Sequence, residues 1–524
     1  MRAYDEPELL LRDGRVRVMD DDRTVAESVL FRGSRVAAVG PADEVADAAT
    51  DPAVVDLDGR TVLPGFNDAH THLFSIGIEL METDLSAAET RREALDMLAS
   101  NAAETPDGEW VLGFSYDEST WPAGEREYLI RDELDAITTA HPVAATRVDG
   151  HTVSVNSRAL ETVPFSNDED VIEEGGTPTG RVVEDAAWEV KAASYPDPDR
   201  AREALLAATD RCHELGITSV QTMAGLTAVR ETGSVDMEAL FAAWRRDELD
   251  LRVTYYARAD QVESLVDLEL PRGFGDDRLR IGGIKTFSDG AIGAQTANLH
   301  GEFADDPGNG GTMVNDADQL REWYRRAARA GAQVATHSIG GAGIDVVVDQ
   351  YAAVIEECDL DDHRFRIEHL ELATDEALDR IADLGVVASM QPNFLQWSTE
   401  GGLYESRLGT GNLPRNNRFA DVLDAGIPLA FGSDKMPPGP LYGIRHAVTA
   451  DHDTQRLSVD EAVTAYTRGA AYAEATEDRK GTLEPGMLGD AVILDGDPFA
   501  GPAHVADTEI AGTVFDGEVV YRAF

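Results

Sequence analysis

Two histidines stand two residues apart in the run Leu63-Pro64-Gly65-Phe66-Asn67-Asp68-Ala69-His70-Thr71-His72. In an extended segment, residues at i and i+2 point the same way, so both imidazoles can reach one point. Neutral imidazole nitrogens suit a divalent transition metal. The pair alone is weak evidence, because two ordinary histidines near a strand end read the same. Other metal-capable side chains recur at or near the ends of later apolar runs: Lys285, His337, His369 and Asp434. Four histidines and an aspartate at matching positions point to a metal site.

The elements that must position them alternate regularly. Apolar runs over 216–223, 250–256, 279–287, 333–337, 364–369, 385–391 and 427–434 are separated by helical stretches such as 317–330. With the His70 strand they make eight, which predicts an α/β chain built on a (β/α)8 TIM barrel, with its active site at the C-terminal strand ends. A doubly wound open sheet is the alternative. Residues 1–60 read as short strands joined at Asp13-Gly14 and Arg32-Gly33-Ser34, and the C-terminus shows the same texture over 490–495 and 509–521. Neither end suffices for a good sheet, so a small β-sandwich built from both termini is expected. About 150 residues separate the His70 strand from the next, far more than one helix requires. The expected organisation is therefore a composite sandwich from 1–60 and 480–524, and a barrel from 61–74 and 191–479. An insertion after barrel strand 1, over 75–190, is expected above the active-site mouth.

Composition narrows the function. The 524 residues are 43% hydrophobic and carry a formal net charge of -53, from 98 acidic and 45 basic side chains. Phosphate contacts need Lys and Arg, so nucleic-acid binding is not expected. Lysine is confined to Lys191, Lys285, Lys435 and Lys480. That acid-rich, lysine-poor balance resembles cytosolic proteins of salt-loving microbes, in which salt screens self-repulsion; a DNA-mimicking acidic protein is the rival reading. Two cysteines, Cys212 and Cys358, exclude a disulfide scaffold or a cysteine-based structural zinc site. The start of the chain lacks the pattern of a signal peptide, and no run approaches a membrane span. The expectation is a cytoplasmic, halophilic protein without membrane contact.

The run ending in His72, together with the later strand ends, resembles the amidohydrolase superfamily of metal-dependent hydrolases. Asp149-Gly150-His151-Thr152, Gly176-Thr177-Pro178-Thr179-Gly180, Lys285-Thr286-Phe287-Ser288-Asp289-Gly290 and Gly481-Thr482-Leu483-Glu484-Pro485-Gly486 are similar to its N-substituted formamide deformylase-like branch (amidohydrolase family 3). The resemblance implies that His70, His72, His337, His369 and Asp434 are ligands of a divalent metal, zinc foremost, as one or two ions. It implies that Lys285, once carboxylated by CO2, bridges two of them. Asp289 is a rival acidic ligand, and a mononuclear site is the alternative. The implied chemistry is hydrolysis of a non-peptide carbon–nitrogen bond, in an amide or N-substituted formamide, by metal-activated hydroxide. Asp434 would act as general base, then general acid. His151 is the candidate for contact with substrate or transition state, and Arg147, Asp149 and Asn156 are weaker candidates. Alternatives are a cyclic amide or N-acyl amino acid substrate, or a catalytically idle relative that only binds metal or ligand. The partner expected is a small-molecule amide, and association among related proteins suggests a homodimer. Two positions depart from the family pattern: Gly341, where an aspartate is common nearby, and Lys435, where a small residue is usual.

Overall fold

The computed structural model describes residues 6–106, 108–148, 150, 152–224, 229–230 and 233–524. The chain divides into two compact units: Met1–His72, Thr209–Ala224 and Leu249–Phe524 form one, Leu73–Ala208 and Gly225–Glu248 the other.

The first unit holds the barrel. Its strands are β1 (Phe66–Thr71), β2 (Ile217–Met223), β3 (Arg252–Arg258), β4 (Leu279–Phe287), β5 (Gln333–Ser338), β6 (Arg366–His369), β7 (Val387–Met390) and β8 (Leu429–Phe431). Each pairs in parallel with its successor. Just past β8, the Ser433 and Asp434 N–H groups both donate to the His70 carbonyl, at 3.1 and 2.7 Å. That contact joins the last strand to the first and leaves the sheet almost closed. Helices between strands carry the expected stop signals. Ala317–Ala330 starts at Asp316, whose carboxylate accepts the Gln319 N–H, and stops at Gly331, where φ is 69°; glycine adopts that conformation at no steric cost.

The terminal segments form two sheets over one core. One sheet runs Arg35–Gly40, Ser28–Arg32, Glu8–Arg12, Ala53–Asp56; the other runs Glu518–Arg522, Glu509–Phe515, Ala491–Asp495, Thr61–Pro64, Arg15–Arg17, Val25–Ala26. Side chains alternate across a strand. Leu9 and Leu11 therefore face the core shared with Phe31, Val62, Ile493 and Val514, while Leu10 packs with Leu30 and Val45. The expected barrel boundary is residue 61. Instead Thr61–Pro64 pairs with Ala491–Asp495 and Arg15–Arg17, and the barrel starts at Phe66.

The second unit contains a six-stranded sheet ordered Val171–Glu174, Thr177–Val183, Thr152–Val155, Val143–Arg147, Val111–Tyr116, Thr83–Asp84. One apolar cluster gathers around Leu98, Trp121 and Leu134, another around Val153, Val182 and Val190. The unit is larger than the expected 75–190, because it also takes in chain up to Ala208 and the segment Gly225–Glu248. Among the described residues, no helix is long and apolar enough to cross a membrane.

Candidate metal centre

The strand-end side chains converge. Asp434 Oδ1 lies 3.6 Å from His70 Nε2 and 3.2 Å from His72 Nε2, a His-His-Asp set able to hold one metal ion. His369 stands beside His70, with ring centroids 4.9 Å apart, and His337 beside His369, at 4.4 Å. The Lys285 Nζ is 3.3 Å from His70 Nε2. All six residues form one continuous cluster at the C-terminal end of the barrel, with His70, His72 and Asp434 as its tightest part.

Each imidazole is oriented by an acceptor on its far side. His70 Nδ1 is 2.5 Å from Glu368 Oε2, His72 Nδ1 3.2 Å from the Met223 carbonyl, His369 Nδ1 2.6 Å from Gln391 Oε1, and His337 Nε2 3.0 Å from the Gly290 carbonyl. A ring nitrogen facing an acceptor carries the proton, so the other nitrogen keeps its lone pair. The free nitrogens are then Nε2 of His70, His72 and His369, and Nδ1 of His337. Burial first, and then the Lys285 charge, pulls the His70 and His337 imidazoles down to about 4 and about 3. Burial also holds His369 well below its ordinary value. These rings are neutral near neutral pH, as metal ligation requires.

Asp434 Oδ1 is buried and accepts no hydrogen bond among the described residues. With the His72 proton on Nδ1, toward the Met223 carbonyl, its Nε2 presents a lone pair to that oxygen at 3.2 Å. Carboxylate and imidazole lone pairs thus face one another across a short gap, an arrangement relieved by a cation among them, either the Lys285 ammonium, 3.3 Å from His70 Nε2, or a bound metal. The mixed nitrogen and oxygen donors fit a divalent transition metal.

Beneath the cluster lies a buried charge network. Glu368 is bound by Arg366 at 2.5 Å, both side chains being fully buried. Arg366 also donates to Ser389 Oγ at 2.7 Å, and to Gln221 and the Ala69 carbonyl. Burial pushes the Glu368 carboxyl up, but Arg366, His70 and Lys285 together outweigh it and hold the group ionised. Burial pulls the Lys285 ammonium down to about 8, against the opposing pull of Glu368 and Asp434.

Backbone conformation contributes as well. His369 and Asp434 have φ of 73° and 49°, a left-handed shape costing roughly 1–2 kcal/mol for a non-glycine residue. Asp68 braces the Asp434 segment by accepting the Ser433 N–H at 2.9 Å and the His70 N–H at 3.1 Å.

Several expected participants lie elsewhere or serve otherwise. Asp289 accepts the N–H groups of Asn298, Ile339 and Gly340 at 2.8, 3.1 and 2.8 Å. Its oxygens organise the β4 and β5 loops, and it stands outside the His-His-Asp set. Arg147 is engaged by Glu118 at 2.9 Å. Asn156 caps the helix Ser157–Thr162 and accepts the Val143 N–H. Asp149 and His151 lie outside the described residues. At Gly341 a Cβ would stand 2.8 Å from the His300 ring and 3.0 Å from the Leu372 carbonyl, so His300 crowds the space an aspartate would need. Lys435 is half-buried, and its N–H donates to Ser433 Oγ at 3.1 Å. Sequence reasoning missed Glu368 and Gln391; an acid and an amide in apolar strands were the available signals.

The sequence profile described as the amidohydrolase family matches residues 53–521. The chain is 30% identical to Protein LONG AFTER FAR-RED 3 of Arabidopsis thaliana, over 98% of this chain and 91% of that protein. It is 27% identical to an N-substituted formamide deformylase of Arthrobacter pascens, over 98% of each. Among solved structures, an uncharacterized metal-dependent hydrolase from Pyrococcus furiosus superposes with a TM-score of 0.80 at 28% identity, covering 94% of this chain and all (100%) of that one.

Proposed function

The chain belongs to the amidohydrolase family, a hydrolase of carbon–nitrogen bonds other than peptide bonds, and from that premise we propose that it cleaves an amide or N-substituted formamide with Asp434 as general base and acid. The observation that carries this is the Asp434 Oδ1, without a hydrogen-bond partner among the described residues, set among imidazoles whose protons face outward. His70, His72, His337, His369 and Asp434 would hold the metal, with zinc the expected ion and one or two ions per chain. A divalent cation there supplies Lewis acidity, acidifying water and polarising the scissile carbonyl. Asp434 takes the proton from the attacking water and passes it to the departing nitrogen, which leaves as a neutral amine. Glu368 and Gln391 keep the His70 and His369 rings in the tautomers that present Nε2. Lys285 is proposed to react as a free amine with CO2, forming a carbamate and releasing a proton. Its lowered pKa raises the share of free amine, and the carbamate oxygens suit a second cation. His151 is proposed to contact the substrate. The N-substituted formamide deformylase of Arthrobacter pascens makes formamides the first substrates to assay.

Asp434→Ala tests the assignment at saturating zinc. A folded, zinc-loaded variant that no longer hydrolyses amides cleaved by the wild type supports it. Wild-type turnover by that variant removes Asp434 from the chemistry, and no turnover in either form across an amide panel favours an idle relative.

A further inference from the structure

Asn393 follows β7 and is 1% exposed. Its carboxamide nitrogen donates to the Ser433 carbonyl and to the Met436 carbonyl, each at 2.7 Å. Both partners are acceptors, so the amide must present its nitrogen to them. These carbonyls open and close the turn that carries Asp434, where the Met436 N–H donates to the Ser433 carbonyl at 3.1 Å. The two middle residues, Asp434 and Lys435, have φ of 49° and 58°. Two consecutive positive φ values make a turn that glycine and asparagine fill most easily. Neither middle residue is glycine, so the turn needs support from its surroundings. Asn393 gives that support by linking its first and last carbonyls, and Gln396 Nε2 adds a bond to the Met436 carbonyl at 2.9 Å. On the other side the turn is tied to Asp68 and to the His70 carbonyl.

We propose that Asn393 is the positioning residue for Asp434: its carboxamide holds the 433–436 turn in the backbone shape that aims the Asp434 carboxylate at His70 and His72. The proposal rests on Asp434 being a ligand and proton carrier. Asn393 acts through the backbone of the turn, so its loss weakens the metal site while the barrel stays folded.

Two substitutions test this in the full-length chain. Asn393→Asp keeps the size but sets acceptor oxygens against two carbonyls. Asn393→Ala removes the link without repulsion and serves if the aspartate variant does not fold. Zinc affinity is measured by competition with a chromophoric chelator, beside Asp434→Ala, with circular dichroism and thermal unfolding of the zinc-free proteins. Lost support for a ligand typically weakens metal binding about 10- to 100-fold. That loss is expected in Asn393→Ala, with native secondary structure and, at saturating zinc, a lower kcat at unchanged KM. Wild-type zinc affinity in Asn393→Ala, while Asp434→Ala binds weakly, overturns the positioning role alone. Wild-type affinity in Asp434→Ala as well removes the ligand assignment beneath it.

Discussion

Replacing Glu368 by alanine strikes the fully buried network under the candidate metal centre. Glu368 and Arg366 are both fully enclosed, and their closest contact is 2.5 Å. Without the carboxylate, the guanidinium keeps, among the described residues, only uncharged acceptors: the Ala69 carbonyl, Gln221 Oε1, Ser389 Oγ and the Tyr256 hydroxyl. Removing one partner of a buried ion pair costs about 3–5 kcal/mol, because the other charge stays buried and unpaired. Deleting both charges together, as Arg366→Met with Glu368→Leu, is expected to cost less than Glu368→Ala alone. Glu368→Gln keeps an acceptor for His70 Nδ1 but removes the charge. Its zinc affinity should fall about 10- to 100-fold, or about 1.4–2.8 kcal/mol. Urea unfolding of the zinc-free variants, with zinc titrations of each, measures both effects. A Glu368→Ala protein within about 1 kcal/mol of wild type, binding zinc equally well, would refute the reasoning.

Three further outcomes are expected. Burial pushes the Glu371 carboxyl up to about 7 from an ordinary value of 4.5, against hydrogen bonds from Tyr404 and Asn417. A raised acid favours folding below its unfolded pKa and loses that contribution as pH rises through its folded pKa. Urea midpoints should therefore show Glu371→Gln gaining on wild type between pH 4.5 and about 7 and holding level above; a pH-independent difference would count against it. With a net charge of -53, thermal stability should rise from about 0.1 M to about 1 M KCl as the Debye length falls from about 10 to about 3 Å; an unchanged melting profile would exclude self-repulsion as a major cost. Lys285→Ala should lower zinc stoichiometry and abolish the carbamate resonance that carbon-13 bicarbonate gives wild type, and an identical spectrum in both proteins would relieve Lys285 of a bridging role.

The barrel was legible because its strands are short apolar runs, five of which carry a metal-capable side chain at or near their ends. His337, His369 and Asp434 terminate three such runs, and the structure brings them to the end of the barrel where His70 lies. The start of the barrel was less legible. Val62 and Leu63 suit a buried strand in either sheet, and their pairing with Val492, Ile493 and, for Val62, Val16 assigns them to the terminal sheets. Asp289 looked like a ligand because an acid near a strand end carries no mark of its partners. Its partners are backbone N–H groups from 298, 339 and 340, and the type of a residue says little about where its amide points. The same holds for the Met223 and Gly290 carbonyls that orient His72 and His337. Glu368 could have been found, since Arg366 and Glu368 are two apart in a strand and so share its inward face.

The most direct test of the metal-centre assignment is the metal content of the chain, measured by mass spectrometry on protein purified in high salt without chelator. The four oriented imidazoles and the buried Asp434 oxygen beside them predict one or two tightly held divalent ions per chain, with two expected where Lys285 is carboxylated. A chain that holds no metal, even after reloading with zinc, would contradict the assignment of these residues as a metal centre.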